Sequence, residues 1–377
     1  MVSPQPPAEP AAPPGPAPSV DLADLAQERG VVVCCGSGGV GKTTVAAAVA
    51  VEAARKGRVA CVVTIDPAKR LADALGLAAL TDVPSRVDGV GPGELWAVML
   101  DTKSTFDAVV RRYAADDQQA EAILRNRMYR NIAGALSGTQ EYMAMEKLYE
   151  LWSGSGGRRY DLVVVDTPPT RNALDFIDAP RRLTRFLDNR VFRLLLMPTR
   201  AYLKAVSVAT QAFLRTVTKA VGGEVVADAL AFFDAFEGME QGFRERAQAV
   251  LDLLKDPTTA FVLVASPRRD TVEEALYFAG RLAEGGIGVA ALVVNRVHPA
   301  FGSGLPPLPP APLGSALAVL ERNLTELDAV AGREAGHLLE LVDQVAPAPV
   351  TRVPFLPEDV HDLGGLDLVA SHLFGRA

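Results

Sequence analysis

A glycine-rich run near the N-terminus has the residue types and spacing to bind phosphate. The run GSGGVGKT, residues 36–43, fits the pattern G-x-x-x-x-G-K-[ST]. It follows the apolar run VVVCC and opens a helical run, so successive backbone N–H groups and a helix N-terminus would face one anion. We therefore expect a nucleotide-phosphate site, made of Gly36, Ser37, Gly38, Gly39, Val40, Gly41, Lys42, Thr43 and Thr44.

Charged and hydroxyl side chains complete a candidate site for phosphoryl transfer. Lys42 would reach the β- and γ-phosphates of a nucleotide, and the Thr43 hydroxyl would bind Mg²⁺. The apolar run DLVVVD ends in Asp166, where a Walker B carboxylate would stand near the metal. Asp66 follows the run VACVVTI at the same sheet edge, and a carboxylate there could orient or deprotonate an attacking water. We predict that Lys42 and Asp66 are catalytic. We also expect Asp66 and Asp166 to support the metal indirectly, either through a bound water or by contacting the groups that bind the metal.

Short apolar runs separated by helical runs must position these residues. The runs lie at 31–35, 59–65, 95–100, 161–166, 260–265, 289–295 and 351–355. They are continuously apolar rather than alternating, which is typical of strands buried on both faces. The rhythm of strand and helix predicts an α/β fold, a doubly wound, mostly parallel sheet with helices on both faces.

Two segments stand apart from this rhythm. Residues 1–20 are rich in proline and predict a disordered tail, which leaves 21–377 as one domain. Between about 178 and 258 no strand is evident and apolar residues recur at helical spacing, which predicts an inserted helical subdomain.

The composition restricts the class of protein. The chain has 377 residues and a formal net charge of −7, which disfavours a protein that coats nucleic acid or anionic membrane. Three cysteines cannot build a disulfide framework and fit a reducing compartment. Neither a signal peptide nor an apolar run of the ~18 residues that span a bilayer is evident. We therefore expect a cytoplasmic protein with no nucleic-acid partner and no direct membrane insertion.

Several motifs in order resemble the deviant-Walker-A ATPases. These are GGVGKTT in the glycine-rich loop, DPAKR after the next strand and DTPPTRNALDFI after a third. The runs SGTQEYMAMEKL (137–148), LVVNR (292–296) and RVPFLPEDVHDLGGL (352–366) are similar to segments of one branch. That branch contains the arsenite-pump ATPase and the ATPase that targets tail-anchored proteins. The resemblance covers about residues 28–370.

The resemblance implies a SIMIBI-like P-loop NTPase that hydrolyses Mg-ATP as a dimeric switch. Nucleotide state would be coupled to dimer closure and to a hydrophobic client or membrane-protein partner. Asn295 would contact adenine, Pro354 and Phe355 would pack on the purine, and Asp66 would position water in switch I. Switch II would be formed by Thr167, Pro168, Pro169 and Thr170. No NKxD run occurs, which favours ATP over GTP.

Two departures from the family pattern leave alternatives open. Ser37 stands where the family has a lysine that reaches the phosphates of the other subunit. The chain would form a homodimer in which Arg70 or Arg171 substitutes, or a heterodimer with a paralogue that keeps the lysine, or hydrolysis is slow. The alternative function is a weakly active or inactive regulatory subunit of such a complex. The cysteine triad and the CxxC of the branch are absent, which disfavours arsenite binding by thiolates and a zinc-linked dimer.

Overall fold

A twisted sheet of eight strands forms the centre of the protein. The computed structural model describes residues 21–66, 70–127, 129, 139–168, 228, 231, 232, 235, 238–301 and 315–376. The strands are β1 (Val31–Gly36), β2 (Val59–Thr64), β3 (Ser85–Val87), β4 (Glu94–Met99), β5 (Leu162–Asp166), β6 (Thr259–Ala265), β7 (Val289–Val297) and β8 (Val350–Pro354). Their order across the sheet is β3-β4-β2-β5-β1-β6-β7-β8.

The pairing confirms the predicted mostly parallel sheet. Every neighbouring pair is parallel except β3 with β4, which is antiparallel. The sequence analysis did not find β3, because a strand of three residues is too short to show a period. In the register, Asp166 at the end of β5 lies beside Cys34 of β1 and Thr64 of β2. The ends of three strands therefore bring their following residues to one edge.

Helices pack on both faces of the sheet. The described helices are α1 (Leu22–Glu28), α2 (Lys42–Arg55), α3 (Arg70–Ala74), α4 (Thr102–Tyr113), α5 (Asp117–Arg125), α6 (Thr139–Ser153), α7 (Glu240–Lys255), α8 (Arg269–Glu284), α9 (Ala316–Val345) and α10 (Leu363–Leu373). Alternate residues of β1 belong to two separate cores. Val31 and Val33 pack with α6, α7 and α8, whereas Val32 and Cys34 pack with α1, α2 and α10. This two-sided burial explains why the strands read as continuous apolar runs.

The helix after the glycine-rich run lies deep in the second core. Alanine and valine fill most of α2, and its residues from Val45 to Ala54 are all buried. Small side chains let the helix axis approach the sheet closely, which fixes the N-terminus of α2 at the end of β1. The first turn of α2 begins at Lys42, so the buried helix holds the candidate phosphate-binding residues in place.

The predicted tail and inserted subdomain fall largely outside the described residues. Residues 1–20 and most of 178–239 are not described, so the boundaries of these segments stay predictions. Helix α7 falls within the range predicted for the insertion. Its residues Phe243, Ala247 and Val250 pack in the same core as α6 and the sheet.

Candidate functional site

Two glycines fix the path of the loop between β1 and α2. Gly36 has φ +150°, and a Cβ atom there would lie 2.0 Å from the carbonyl oxygen of Val264 in β6. Gly41 has φ +95°, and its Cβ atom would lie 2.2 Å from Nδ2 of Asn295. The backbone of β6 leaves no room for a side chain at Gly36, whereas at Gly41 the Asn295 amide would have to move and the left-handed conformation itself favours glycine. The loop therefore packs tightly against β6 and β7, with its open side toward solvent.

Lys42 folds back over this loop. Its Nζ donates to the carbonyl oxygen of Ser37 at 2.8 Å, and the residue is 7% exposed. Burial lowers the pKa of the ammonium group, and the nearby Asp166 carboxylate opposes that shift. A buried cation held against a single carbonyl is available to an anion that enters the loop.

Asp166 lies at the centre of a hydroxyl cluster. Its Oδ2 accepts hydrogen bonds from Oγ1 of Thr43 at 2.7 Å and from Oγ1 of Thr64 at 2.9 Å. Its Oδ1 is buried and has no hydrogen-bond partner among the described residues. Burial raises the pKa of Asp166 to about 6, and the two hydroxyl groups act in the opposite direction.

This arrangement fits a magnesium ion. A buried carboxylate oxygen with no partner is costly unless it meets a cation or a water bound to one. Mg²⁺ prefers oxygen ligands and usually keeps several of its bound waters. A single hydroxyl group from Thr43, with the Asp166 carboxylate behind it, supplies oxygen ligands and leaves room for those waters. Thr43 and Asp166 are thus the residues that would hold the metal, Thr43 directly and Asp166 through its free oxygen.

The other predicted catalytic carboxylate lines the same cleft. Asp66 is half-buried, and its Oδ2 lies 3.5 Å from Nη1 of Arg70 in the first turn of α3. The cleft has a volume of about 640 Å³ and is lined by the loop, Lys42, Thr43, Asp66, Thr167, Asn295, Pro354 and Phe355 among others. Residues predicted from five separate segments therefore meet in one cavity that is large enough for a nucleotide.

Asn295 lies against the loop rather than free in the cleft. Its Nδ2 donates to the carbonyl oxygen of Val40 at 2.8 Å, and its Oδ1 accepts from the backbone N–H of Arg296 at 3.0 Å. Both polar ends of the amide are therefore engaged within the protein in this structure. Its predicted contact with adenine stays a prediction, and the second N–H of Nδ2 and the second lone pair of Oδ1 are the groups that could make it while these two bonds persist.

The predicted switch II begins at the base of the loop. Thr167 is buried, and its Oγ1 donates to the carbonyl oxygen of Cys34 at 2.8 Å. Pro168 is buried beside it. Pro169 and Thr170, as well as the candidate cation Arg171, lie outside the described residues. The start of switch II is thus tied directly to the strand that carries the loop.

Ser37 turns inward. It is 2% exposed, and its Oγ donates to the carbonyl oxygen of Thr271 in the first turn of α8 at 3.3 Å. The side chain at this position therefore links the loop to α8 within one chain. This contact explains how the loop accommodates a small residue there.

The sequence analysis did not single out several residues in or beside the site. Thr64 contacts Asp166, Arg296 lines the cleft beside Asn295, and His298 stacks on Phe355 with ring centroids 5.6 Å apart. The His298 ring also lies 2.7 Å from Oε1 of Glu334 in α9. The sequence does indicate Thr64, because a hydroxyl-bearing residue at the end of a strand just before Asp66 lies at the same sheet edge as the other site residues. Arg296 and His298 carry no such signal, because their partners are distant in sequence.

A family model decides the classification. The model described as Anion-transporting ATPase matches residues 29–303. The chain belongs to this family. The match includes the glycine-rich loop, both carboxylates and Asn295, and it confirms the predicted branch that contains the arsenite-pump ATPase and the ATPase that targets tail-anchored proteins.

Individual members of the anion-transporting ATPase family are similar along most of the chain. The "Putative arsenical pump-driving ATPase 1" of Aquifex aeolicus (strain VF5) is 22% identical over 359 residues, covering 92% of this chain and 78% of the relative. The "ATPase GET3" of Malassezia globosa is 27% identical over 274 residues, covering 72% of this chain and 74% of the relative. Within the described ranges, this family member has no helix with the length and apolar character that crossing a membrane requires.

Proposed function

We propose that the protein binds Mg-ATP and hydrolyses it. One observation carries this proposal: Lys42, Thr43 and Asp66 line a single cleft, and the buried Asp166 lies directly behind Thr43, although these residues come from three separate strand ends. Membership in the anion-transporting ATPase family supports the same reaction class.

The loop and Lys42 would bind the phosphates. Backbone N–H groups at the start of α2 are not used by the helix and favour anions. Lys42 would exchange the Ser37 carbonyl for β- and γ-phosphate oxygens, so a neutral acceptor is replaced by a charged one. Mg²⁺ neutralises charge on the β- and γ-phosphates. Thr43 would hold the ion through its hydroxyl oxygen. Asp166 would accept the hydrogen bond from that hydroxyl group through Oδ2 and keep its Oδ1 for the ion or its water.

Asp66 would act on the attacking water. Its carboxylate lies at the mouth of the cleft, held from one side by Arg70. A positioned general base typically contributes about 10²- to 10⁴-fold to a rate. Because Arg70 is largely exposed, it would tune the orientation of Asp66 rather than neutralise it.

We further propose that nucleotide state controls closure of a dimer and binding of a partner. The resemblance supports a switch whose product is a conformational state, with Thr167 and Pro168 reporting the γ-phosphate to the sheet. The same resemblance favours a hydrophobic client or a membrane protein as the partner.

A second candidate function is a regulatory subunit. It is favoured by Ser37, whose side chain is buried against α8 and supplies no cation across an interface. A comparable cation contributes about 10³- to 10⁵-fold in other nucleotide hydrolases. In this alternative the chain would bind nucleotide and activate a paralogue that keeps the lysine.

Phosphate release from Mg-ATP by the purified chain tests the proposal, with Lys42→Ala as its partner variant. We expect turnover in the wild-type chain and a fall in rate of at least about 100-fold in Lys42→Ala, because the variant lacks the positively charged group that binds the phosphates. An exposed-lysine variant, Lys103→Ala, serves as the matched control, since Lys103 is 67% exposed, pairs with Asp107 on α4 and does not line the cleft. Equal rates in wild type and Lys42→Ala would contradict hydrolysis by this chain and favour the regulatory subunit.

A further inference from the structure

An irregularity interrupts β7 at the edge of the cleft. The pairing of β7 with β8 shifts register between Val294 and Val297. Within the shift, Arg296 has φ +61°, and it is the non-glycine residue with positive φ among the described residues. The left-handed conformation is unfavourable for a residue that carries a Cβ atom. The fold therefore maintains a strained conformation here.

The strain turns two side chains toward the glycine-rich loop. Arg296 Nη1 donates to the carbonyl oxygen of Gly39 at 3.2 Å, and Asn295 Nδ2 donates to that of Val40 at 2.8 Å. Regular strand geometry would send neighbouring side chains to opposite faces of the sheet. The irregularity allows the consecutive residues Asn295 and Arg296 to donate hydrogen bonds to the consecutive carbonyl groups of Val40 and Gly39.

Holding these carbonyls also orients the N–H groups of the loop. The carbonyl of Gly39 shares a planar trans peptide with the N–H of Val40, and the two point in opposite directions. The same holds for the carbonyl of Val40 and the N–H of Gly41. Donors that hold the carbonyls outward on the β7 side keep these N–H groups turned away from β7. An anion in the loop would use such N–H groups.

We propose that Arg296 is a positioning residue that preorganises the loop for nucleotide phosphates. This inference rests on the proposed function. Arg296 acts through the Gly39–Val40 peptide, and its positive charge in the cleft adds to the attraction for a nucleotide. Its loss should weaken nucleotide binding and leave the chemical step almost unchanged, because Lys42, Thr43 and Asp66 keep their places.

The test separates the guanidinium group from the backbone strain. Arg296→Asn removes the guanidinium group, yet asparagine tolerates the left-handed conformation. Arg296→Gly removes it and relieves the strain, so it serves as a second variant if the first folds poorly. Arg352→Asn is the matched control, because Arg352 is exposed on the neighbouring strand β8 and does not line the cleft.

Titration with a fluorescent ADP analogue, together with KM and kcat for ATP, provides the readouts. We expect Arg296→Asn and Arg296→Gly to raise the Kd for the analogue and the KM for ATP on the order of tenfold. The kcat should stay within about twofold, and Arg352→Asn should match wild type.

Other results would overturn the inference. A Kd within twofold of wild type in both Arg296 variants would show that the guanidinium group does not prepare the loop. A fall in kcat at unchanged KM would assign Arg296 to the chemical step instead. Failure of the wild-type chain to bind the analogue would overturn the proposed function together with this inference, whereas wild-type binding with unaffected variants overturns this inference alone.

Discussion

At the scale of single residues, burial gives Asp166 an unusual acid–base behaviour. Its carboxylate is 1% exposed, and burial raises its pKa from 3.8 to about 6. The folded protein therefore binds a proton at Asp166 more tightly than the unfolded chain does. The charged form lowers stability as pH rises from about 4 to about 6, and the full penalty is present above that range. Metal binding would offset this penalty in the working state.

Asp166→Asn should therefore stabilise the nucleotide-free protein at neutral pH. Below pH 4 the variant and wild type should have similar free energies of unfolding. By pH 7 the variant should be more stable by about 3 kcal/mol, since each unit of pKa shift corresponds to about 1.4 kcal/mol. Urea denaturation across this pH range measures the difference. Asp88→Asn, at a carboxylate that is 92% exposed, is the control. A stability difference that does not change with pH would contradict a raised pKa.

At the scale of elements, a buried ion pair joins three helices below the sheet. Glu146 of α6 is 1% exposed and accepts from Arg246 of α7 through both oxygens, at 2.7 to 2.9 Å. Arg112 of α4 approaches the same carboxylate at 3.4 Å. The Arg246 guanidinium group also lies 4.0 Å from the ring centre of Tyr149. The polar contacts fix the orientation of α7 where apolar packing alone would allow it to slide.

Removal of one partner of this pair should be strongly destabilising. Arg246→Ala removes all the 2.7 to 2.9 Å hydrogen bonds to the buried Glu146 carboxylate and leaves it with the single 3.4 Å contact to Arg112, so we expect a loss of about 3 kcal/mol in urea denaturation. Replacement of both partners, Glu146→Leu with Arg246→Met, should recover most of it because no buried charge remains.

An exposed ion pair gives the matched control for this experiment. Arg269 and Glu273 of α8 are 81% and 62% exposed, and Arg269→Ala should change stability by less than about 1 kcal/mol. An equally small effect of Arg246→Ala would refute the structural role of the buried pair. Because Glu146 and Arg246 do not line the cleft, nucleotide affinity should be unaffected in folded Arg246→Ala.

At the scale of the whole molecule, the proposed switch would close the cleft with a second chain. The loop, Asp66 and Phe355 line the cleft, and Phe355 is 56% exposed within the part of the chain that the structure describes. We expect Mg²⁺ and a non-hydrolysable ATP analogue to shift the protein from its chain mass of 39.9 kDa to about twice that value. Light scattering after size-exclusion chromatography measures this shift, and Lys42→Ala should remain at the lower mass. A single-chain mass in every nucleotide state would count against a homodimer and favour pairing with a paralogue.

The amino-acid pattern was enough to predict the fold class and most of the side chains that line the cleft. Continuous apolar runs identify strands buried on both faces, and the run GSGGVGKT identifies the loop and its helix. These features are local, since strand burial and loop conformation follow from residues within a few positions of each other. The same local logic missed β3, because three residues carry too little pattern.

Tertiary packing sets which side chains contact one another. The order of β2, β5 and β1 brings Thr64 and Thr43 to the same oxygen of Asp166. Packing against α8 turns Ser37 inward, and the irregular end of β7 places Asn295 and Arg296 on the loop. These contacts join residues separated by more than 100 positions, and the register of the sheet sets them. No local pattern can encode such a register, because it results from how all strands and helices pack together.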